Sequence, residues 1–306
     1  MAQTAPQGQR PLAGMGWMVL TGFLFVGVTA TVKHLGHVMP AAEAAFLRYA
    51  LGLVFFLPML PAIWRELRRP GVLMPYALRG LAHGLGVIGW FYAMTRITLA
   101  EVTALGYLNP VVVTLGAALF LGERLALRRT LAVMVALAGV LVILRPGLRA
   151  IGPGHLAMLL TASLFAASYL MAKPLAGRAR PEVIVAMLSV VVTIVLAPVA
   201  AAVWVTPRLA DLGWLMLVAA FATAGHFTMT LAFRAAPLGA TQPVIFLQLV
   251  WATLMGALAF GEPVDPFVIA GGSMIVAAVS FIAWREAVLR RRVSAAATGA
   301  EPAAPH

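Results

Sequence analysis

Ten long apolar segments, each about long enough to cross a membrane, dominate this chain of 306 residues. A membrane-spanning helix needs roughly 20 mostly apolar residues, and the short connections between the segments favour a compact antiparallel bundle. Only 10% of the residues are charged, whereas a soluble domain carries about 25%. The sequence therefore predicts an all-helical integral membrane protein of ten spans, at residues 14–33, 42–63, 73–95, 99–121, 128–145, 154–173, 182–204, 212–234, 240–260 and 266–284.

Basic residues cluster between the spans and predict how the chain crosses the membrane. With the N-terminus in the cytoplasm, fifteen lysines and arginines lie on the cytoplasmic side, five lie on the opposite side, and Arg48 and Arg79 lie within spans. Cytoplasmic loops carry such an excess, so both termini are predicted to be cytoplasmic, in a bacterial inner membrane. Because the net charge of +12 comes from these short clusters, it does not indicate nucleic-acid binding. The lack of cysteine excludes disulfides and thiol catalysis.

The second half of the sequence repeats the first. At an offset of 140 residues, the segment 20–33, LTGFLFVGVTATVK, aligns with 160–173, LTASLFAASYLMAK. At an offset of 139, the Gly-Glu pair at 122–123 aligns with the pair at 261–262. Each unit has five spans, so the second copy enters the membrane upside down. The chain is therefore predicted to consist of two inverted five-helix repeats, an architecture in which secondary transporters place the substrate between the halves.

The repeated blocks LNPVVVTLGAALFLGE and FLQLVWATLMGALAFGE, with the turns FYAM and LAFRAAP, resemble the EamA domains of the drug/metabolite transporter superfamily. The resemblance covers residues from about 14 to 285 and implies EamA repeats at 13–150 and 151–286, with disordered tails at 1–12 and 287–306. The stretches LRGLAHGLGVIGWFYAM and QLVWATLMGALAFGEPVD are most similar to bacterial carriers of S-adenosylmethionine, riboflavin or amino-acid-like metabolites. The resemblance implies a transporter with no cofactor.

Polar residues within the spans are candidates for the substrate site, because exposing such groups to lipid is costly. Asn109 lies roughly 13 Å into its span at 1.5 Å per residue, which is near the midplane. Its repeat counterpart Gln248 is expected at a similar depth, so the two amides either bind one substrate from both sides or bond to neighbouring helices. Pro110 frees a carbonyl near Gly106, which predicts a bend beside a polar space.

One face of the third span carries Arg79, His83, Gly86 and Trp90 at helical spacing. Charged and aromatic residues on a face with a small residue are typical of a cavity wall. The repeat places His226, in the eighth span, on the matching face. As alternatives, each histidine bonds to a neighbouring helix, and Arg79 extends to the cytoplasmic interface.

The second span contains Glu43 and Arg48, which are five residues apart and do not face each other on one helix. Arg48 aligns with Leu188, so only the first half of the sequence has a charge at this position. A charge without a counterpart in the repeat favours a role in binding over a role in packing. Glu43 is a candidate for either proton coupling or capping of the helix start. A proton-coupled mechanism would use Glu43, His83 or His226, since histidine changes charge near neutral pH.

Three other glutamates are expected to have structural roles. The segment TLAE, from Thr98 to Glu101, predicts a capping box at the start of the fourth span. Glu123 and Glu262 end their spans at the membrane surface.

The spans contain two arginines, Arg48 and Arg79, but no carboxylate near the midplane. This charge balance favours a substrate with a carboxylate, in a path that is also lined by Tyr107, Trp90 and Trp251. We therefore predict a secondary transporter that moves a small amphipathic metabolite, similar to an amino acid or S-adenosylmethionine, by alternating access. It is expected to work as a monomer or weak dimer in the lipid bilayer, with no metal, cofactor or nucleic acid. The alternatives are an exporter of drugs or amphipathic cations, and a membrane-embedded enzyme, for which the sequence offers no catalytic motif.

The distribution of basic residues gives a direct test of the topology. Reporter fusions after residues 36 and 286 are expected to report opposite sides of the membrane, with the fusion after 286 in the cytoplasm. A result that puts both fusions on the same side would contradict the ten-span inverted plan.

Overall fold

The computed structural model describes residues 11–36, 38–121, 127–148, 150–176, 179–236 and 238–297, and within these ranges the chain is helical with no strand. Residues 1–10 of the predicted N-terminal tail and Glu123 lie outside the described residues. The elements are α1 (Pro11–Leu35), α2 (Ala41–Gly52), a 3-10 helix (Leu53–Met59), α3 (Leu60–Leu67), α4 (Leu73–Met94), α5 (Leu99–Gly106), α6 (Asn109–Leu121), α7 (Leu127–Leu144), α8 (Pro153–Ala176), α9 (Pro181–Ala202), α10 (Leu209–Ala235), α11 (Leu238–Phe260) and α12 (Pro266–Ala297).

Eight segments of the described chain are long and apolar enough to cross a membrane, and Leu247–Phe260 is a shorter apolar helix. The helix α4 has 22 residues but is not among the eight, because Arg79, His83 and its glycines lower its mean hydropathy. Large apolar side chains cover the outside of the bundle; on α7, for example, Leu131 and Met134 are 56% and 58% exposed. Such extended apolar surface is unusual for a soluble monomer and suits contact with lipid.

The second predicted span, 42–63, is not one continuous α-helix. It divides into α2, the 3-10 helix and α3, and Pro58 lies inside the 3-10 helix. Proline lacks the N–H that an α-helical hydrogen bond needs, and the tighter 3-10 geometry occurs where the regular pattern is interrupted. The whole segment Ala41–Leu67 still meets the length and hydropathy of a membrane span.

The break predicted at Pro110 is confirmed. The fourth predicted span divides into α5, which ends at Gly106, and α6, which begins at Asn109. Proline at the second position of α6 costs no hydrogen bond, because the first N–H groups of a helix have no partner within the helix in any case. The interruption therefore lies in the middle of the span.

The ends of two helices show how the sequence sets their limits. The predicted capping box is confirmed, since the Glu101 N–H donates to Thr98 Oγ1 over 3.2 Å and the Thr98 N–H donates to Glu101 Oε2 over 2.9 Å. By contrast, α12 continues to Ala297, past the boundary predicted at 286. Residues 287–297 are mostly alanine, arginine, valine and leucine, which include strong helix formers, so this part of the predicted tail is helical.

Three pairs of helices make the most extensive contacts, and each pair joins the two halves of the sequence: α1 with α10, α4 with α8, and α7 with α12. Small residues allow these close approaches. At the crossing of α7 and α12, a methyl group added to Gly271 would lie 2.4 Å from the backbone oxygen of Gly139. Between α1 and α10, the buried hydroxyls of Thr21 and Thr228 are hydrogen-bonded over 2.8 Å.

Replacement of Gly271 by alanine is expected to destabilise the protein by about 1–3 kcal/mol, the usual cost of overpacking, because the obstructing atom belongs to the backbone of α7. Thermal unfolding of the purified protein measures the effect. Gly16→Ala is the matched control, since no atom lies within 4 Å of a methyl group at that position. Equal melting temperatures for Gly271→Ala and the unchanged protein would contradict the packing described.

Candidate functional site

Polar side chains from α2, α4, α8 and α10 interact with one another in the interior of the bundle. The spacing of one helical turn puts Arg79 and His83 on the same face of α4. The glycine one turn further, Gly86, lets α8 approach, because a methyl group there would lie 2.8 Å from the ring of Phe165. The interior polar cluster consists of Arg48, Tyr49, Arg79, His83, Ser168, Tyr169 and His226.

His83 is held by two neighbouring helices. Its Nε2 lies 3.0 Å from the Tyr49 hydroxyl on α2, and its Nδ1 lies 3.5 Å from Ser168 Oγ on α8. A neutral imidazole has one donor and one acceptor nitrogen, and hydroxyl groups serve as either, so both nitrogens have partners. The centroid of the Phe165 ring lies 4.8 Å from that of the imidazole. These contacts fix the orientation of His83 toward the interior.

Arg48 lies over the ring of Tyr49, with its guanidinium carbon 4.2 Å from the ring centroid. Its Nε is buried without a hydrogen-bond partner. The guanidinium is close enough to both His83 and His226 to interact with them electrostatically. Arg48, which has no charged counterpart in the second half of the sequence, therefore lies beside the two histidines.

Arg79 is 6% exposed, so its side chain is enclosed by protein. Its Nη1 donates to the carbonyl oxygen of Ile184 on α9 over 3.3 Å, and its Nε has no partner. Among the described residues, no carboxylate forms an ion pair with Arg48 or Arg79, so this part of the interior has positive charge.

Tyr169 and His226 are the two exposed members of the interior polar cluster. Tyr169 is 51% exposed, and His226 is exposed as well. The protein therefore does not enclose these two side chains.

Aromatic residues at repeated positions flank the histidines. Phe165 packs against His83, and its repeat counterpart Phe25 packs edge-on against His226 with the ring centroids 5.2 Å apart. Trp90 lies one step further from His83, with its ring centroid 6.4 Å from that of Phe165. Both halves of the chain thus place a phenylalanine beside a histidine.

The predicted pair Asn109 and Gln248 contacts α8 and α1, respectively. Asn109 Nδ2 donates to the carbonyl oxygen of Ala162 over 3.2 Å, which is the interhelical bond considered as its alternative role. A methyl group at Gly22 would lie 3.5 Å from the Gln248 side chain. Tyr107, which precedes Asn109, is hydrogen-bonded to the backbone of Leu249. A role for Asn109 and Gln248 in binding stays a prediction.

Trp251 and Glu43 each have a buried polar atom without a partner. The Trp251 ring packs against Phe23 at 5.1 Å between centroids, and its Nε1 has no hydrogen bond. Glu43 is 0% exposed; its Oε2 accepts a hydrogen bond of 2.9 Å from the Val205 N–H, while its Oε1 has no partner. Glu43 thus binds the turn before α10, and no hydrogen bond from it caps the start of its own helix.

A second group of charged residues lies where α1 ends, which we call the Lys33 end of the bundle. Lys33 forms an ion pair with Glu262, and Arg145 forms one with Asp265. A crevice of about 370 Å³ opens among these residues. The described residues contain no group of three or more histidine, aspartate or glutamate side chains arranged to hold a metal ion.

Sequence reasoning missed Tyr49, Ser168 and the two phenylalanines as members of the site. Tyr49 follows Arg48 in an apolar span, and a hydroxyl next to a charge was a usable signal. Phe25 and Phe165 occupy identical positions of the repeat, so their conservation between the halves was visible as well. Ser168 carries no signal, because serine is common in membrane helices.

Comparison with known proteins agrees with the fold. The sequence profile of the EamA-like transporter family matches residues 12–145 and 152–284. A crystal structure with 20% sequence identity superposes with a TM-score of 0.55 over 92% of this chain and 97% of its own, which shows a shared fold.

Three named relatives are similar over almost their whole length. A riboflavin transporter of Rhizobium johnstonii is 32% identical over 91% of this chain and 93% of its own. A pseudopaline exporter of Pseudomonas aeruginosa is 30% identical over 87% and 94%, respectively. An S-adenosylmethionine uptake transporter of Rickettsia bellii is 25% identical over 89% and 94%. Because the family profile matches both halves of the sequence, the chain belongs to the EamA-like transporter family of the drug/metabolite transporter superfamily, and it is a membrane transporter, not an enzyme.

Proposed function

We propose that this transporter carries a small amphipathic metabolite with a carboxylate group through the centre of the bundle by alternating access. The observation that carries the proposal is the pair of interior guanidinium groups, Arg48 and Arg79, without an acidic partner in the described chain. An uncompensated cation within a membrane is costly. A carboxylate would compensate it through charge-assisted hydrogen bonds, which arginine forms in a bidentate geometry.

The aromatic residues around these cations suit the apolar part of such a substrate. Tyr49 and Phe165 pack against His83, and Trp90 packs against Phe165. Flat rings stack favourably on such aromatic side chains. S-adenosylmethionine combines a flat ring with a carboxylate, whereas riboflavin has the ring without the carboxylate. We therefore favour a substrate similar to S-adenosylmethionine or an amino acid over a neutral ring compound.

Contacts between the halves support an inverted repeat. Phe165 lies against Gly86, and its counterpart Phe25 lies against Gly225, the residue that aligns with Gly86 at an offset of 139. Asn109 bonds to Ala162, and the aligned Gln248 packs against Gly22, the counterpart of Ala162. A pseudo-two-fold axis between the halves would relate one contact of each pair to the other, as two inverted repeats require.

The same proposal sets the membrane orientation. With the N-terminus in the cytoplasm, the Lys33 end faces away from the cytoplasm, which agrees with the excess of basic residues at the opposite end. The transporter would work in the bacterial inner membrane as a monomer or weak dimer. An exporter of amphipathic cations is the competing assignment, and a cation that lacks a carboxylate would leave Arg48 and Arg79 without an acidic partner and be repelled by them.

Loss of the Arg48 guanidinium is expected to weaken substrate binding by about 10- to 100-fold, since hydrogen bonds to charged groups contribute roughly 1.5–3 kcal/mol. Arg48→Lys should also weaken binding, because lysine cannot reproduce the bidentate contact. A thermal-shift screen of carboxylate metabolites, S-adenosylmethionine and riboflavin on purified protein identifies a ligand, and uptake into proteoliposomes then compares the variants.

Arg65→Ala is the matched control, because Arg65 is exposed on α3 and bonds only to Pro61 of its own helix in the described contacts. Its uptake should equal that of the unchanged protein. Arg79→Ala is expected to reduce uptake less than Arg48→Ala, because Arg79 already has a backbone partner. Full uptake by Arg48→Ala would refute the carboxylate assignment.

Proton coupling is expected to depend on Glu43, whose buried carboxylate has one oxygen without a partner. Glu43→Gln keeps an acceptor for the Val205 N–H but cannot release a proton. We expect this variant to lose uptake driven by a proton gradient and to retain substrate exchange across liposomes at equal pH. The same pair of assays on His83→Gln and His226→Gln tests the other two candidates. Gradient-driven uptake that survives in Glu43→Gln would exclude Glu43 as the coupling group.

A further inference from the structure

The ion pair between Lys33 and Glu262 connects the two halves of the protein at the Lys33 end. Lys33 belongs to the last turn of α1, and Glu262 follows the end of α11. Both side chains are largely buried, at 15% and 10% exposure. Lys33 comes from the first half of the sequence and Glu262 from the second, so the pair is one of the contacts that hold the two halves together at this end.

Each member of the pair also binds the turn between α4 and α5. Lys33 Nζ donates to the carbonyl oxygen of Ile97 over 2.8 Å, and Glu262 Oε2 accepts from the Leu99 N–H over 2.8 Å. The turn is therefore held between the two charged groups. Three separate segments of the chain meet at one ion pair.

The Gly-Glu motif explains how the carboxylate reaches this position. Gly261 has a positive φ of 63°, a conformation that favours glycine and ends helices. The chain reverses there, so that the Glu262 N–H donates to the carbonyl oxygen of Gly256 over 3.0 Å. A methyl group at Gly256 would lie 2.2 Å from Glu262 Oε2, so glycine leaves the space that the carboxylate occupies.

An apolar cluster lies further along the same helices from the ion pair. Val26 lies about two turns before Lys33 on α1, and Ala252 lies about one turn before Gly256 on α11. Val26, Leu99 and Ala252, which are 2%, 0% and 0% exposed, pack together from three helices. The crevice at the Lys33 end is lined by Lys33 and Glu262 but by none of these three buried residues.

We propose that Lys33 and Glu262 are functional residues of the transport cycle, which hold the Lys33 end closed and separate when this end opens to the substrate. The inference rests on the alternating-access function proposed above. Both residues occupy repeated positions of the sequence, where Lys33 aligns with Lys173 and Glu262 with Glu123. Helix ends that served packing alone would not need a charged pair that crosses between the halves.

The ion pair between Arg145 and Asp265 provides a contrast at the same end. It joins the end of α7 to the start of α12, and these two helices also meet at the tight crossing of Gly139 and Gly271. The glycine contact holds them together without the charges. Loss of the Arg145–Asp265 pair should therefore leave the Lys33 end closed.

The absence of cysteine from the chain allows a direct experiment. In the Ala252→Cys variant, the single thiol replaces a side chain that is 0% exposed beneath the ion pair. Its rate of labelling by a soluble maleimide is measured on purified protein without substrate. Glu262→Gln retains an acceptor for Leu99 but removes the charge, and Lys33→Gln removes the other charge. Asp265→Asn is the matched control, and gel filtration with thermal unfolding checks the folding of each variant.

We expect Glu262→Gln and Lys33→Gln each to raise the labelling rate about tenfold or more, which corresponds to a shift of about 1.4 kcal/mol toward the open form. Asp265→Asn should change it by less than about twofold. Unchanged labelling in a folded Glu262→Gln or Lys33→Gln variant would overturn the proposal, as would an equal rise in Asp265→Asn. The labelling needs no substrate, so an incorrect carboxylate assignment would leave this result intact.

Discussion

The structure depends on how a helical bundle keeps positive charge in its interior. Helices satisfy their own backbone groups in lipid, so the cost of burial falls on side chains. Arg48 and Arg79 meet this cost in part with a tyrosine ring and one carbonyl oxygen. The unpaired Nε atoms of both residues show that the protein alone does not complete their hydrogen bonding. A ligand that accepts hydrogen bonds from these two guanidinium groups would therefore be bound by interactions that the protein does not make within itself.

Glycine positions decide which polar groups meet inside the bundle. The ring of Phe165 reaches His83 only because Gly86 leaves room on α4, and the same relation holds for Phe25 and Gly225. The Glu262 carboxylate likewise occupies space above Gly256. In each case a small residue leaves the space that a large or charged group occupies, so the site is built by packing as well as by charge.

The sequence predicted local structure more completely than it predicted contacts between residues that are distant in the sequence. The break at Pro110 and the capping box at Thr98 depend on chemistry within a few residues, so both were predictable. The 3-10 helix around Pro58 was not, because its repeat counterpart Pro198 lies within the continuous helix α9, so proline alone does not dictate the 3-10 geometry. The bond from Arg79 to Ile184 joins residues separated by 105 positions. Such a contact follows from the relative placement of α4 and α9, which hydrophobic periodicity does not encode.

The two kinds of contact between the halves differ in how easily they separate. The glycine crossing of α7 and α12 brings backbone atoms together and offers no group that water could replace, so it is suited to remain closed throughout transport. The pair of Lys33 and Glu262 is partly exposed at the floor of a crevice, and hydration compensates charged groups that move apart. In an alternating-access cycle, the contact between α7 and α12 would stay closed, whereas the ion pair of Lys33 and Glu262 would break and form again.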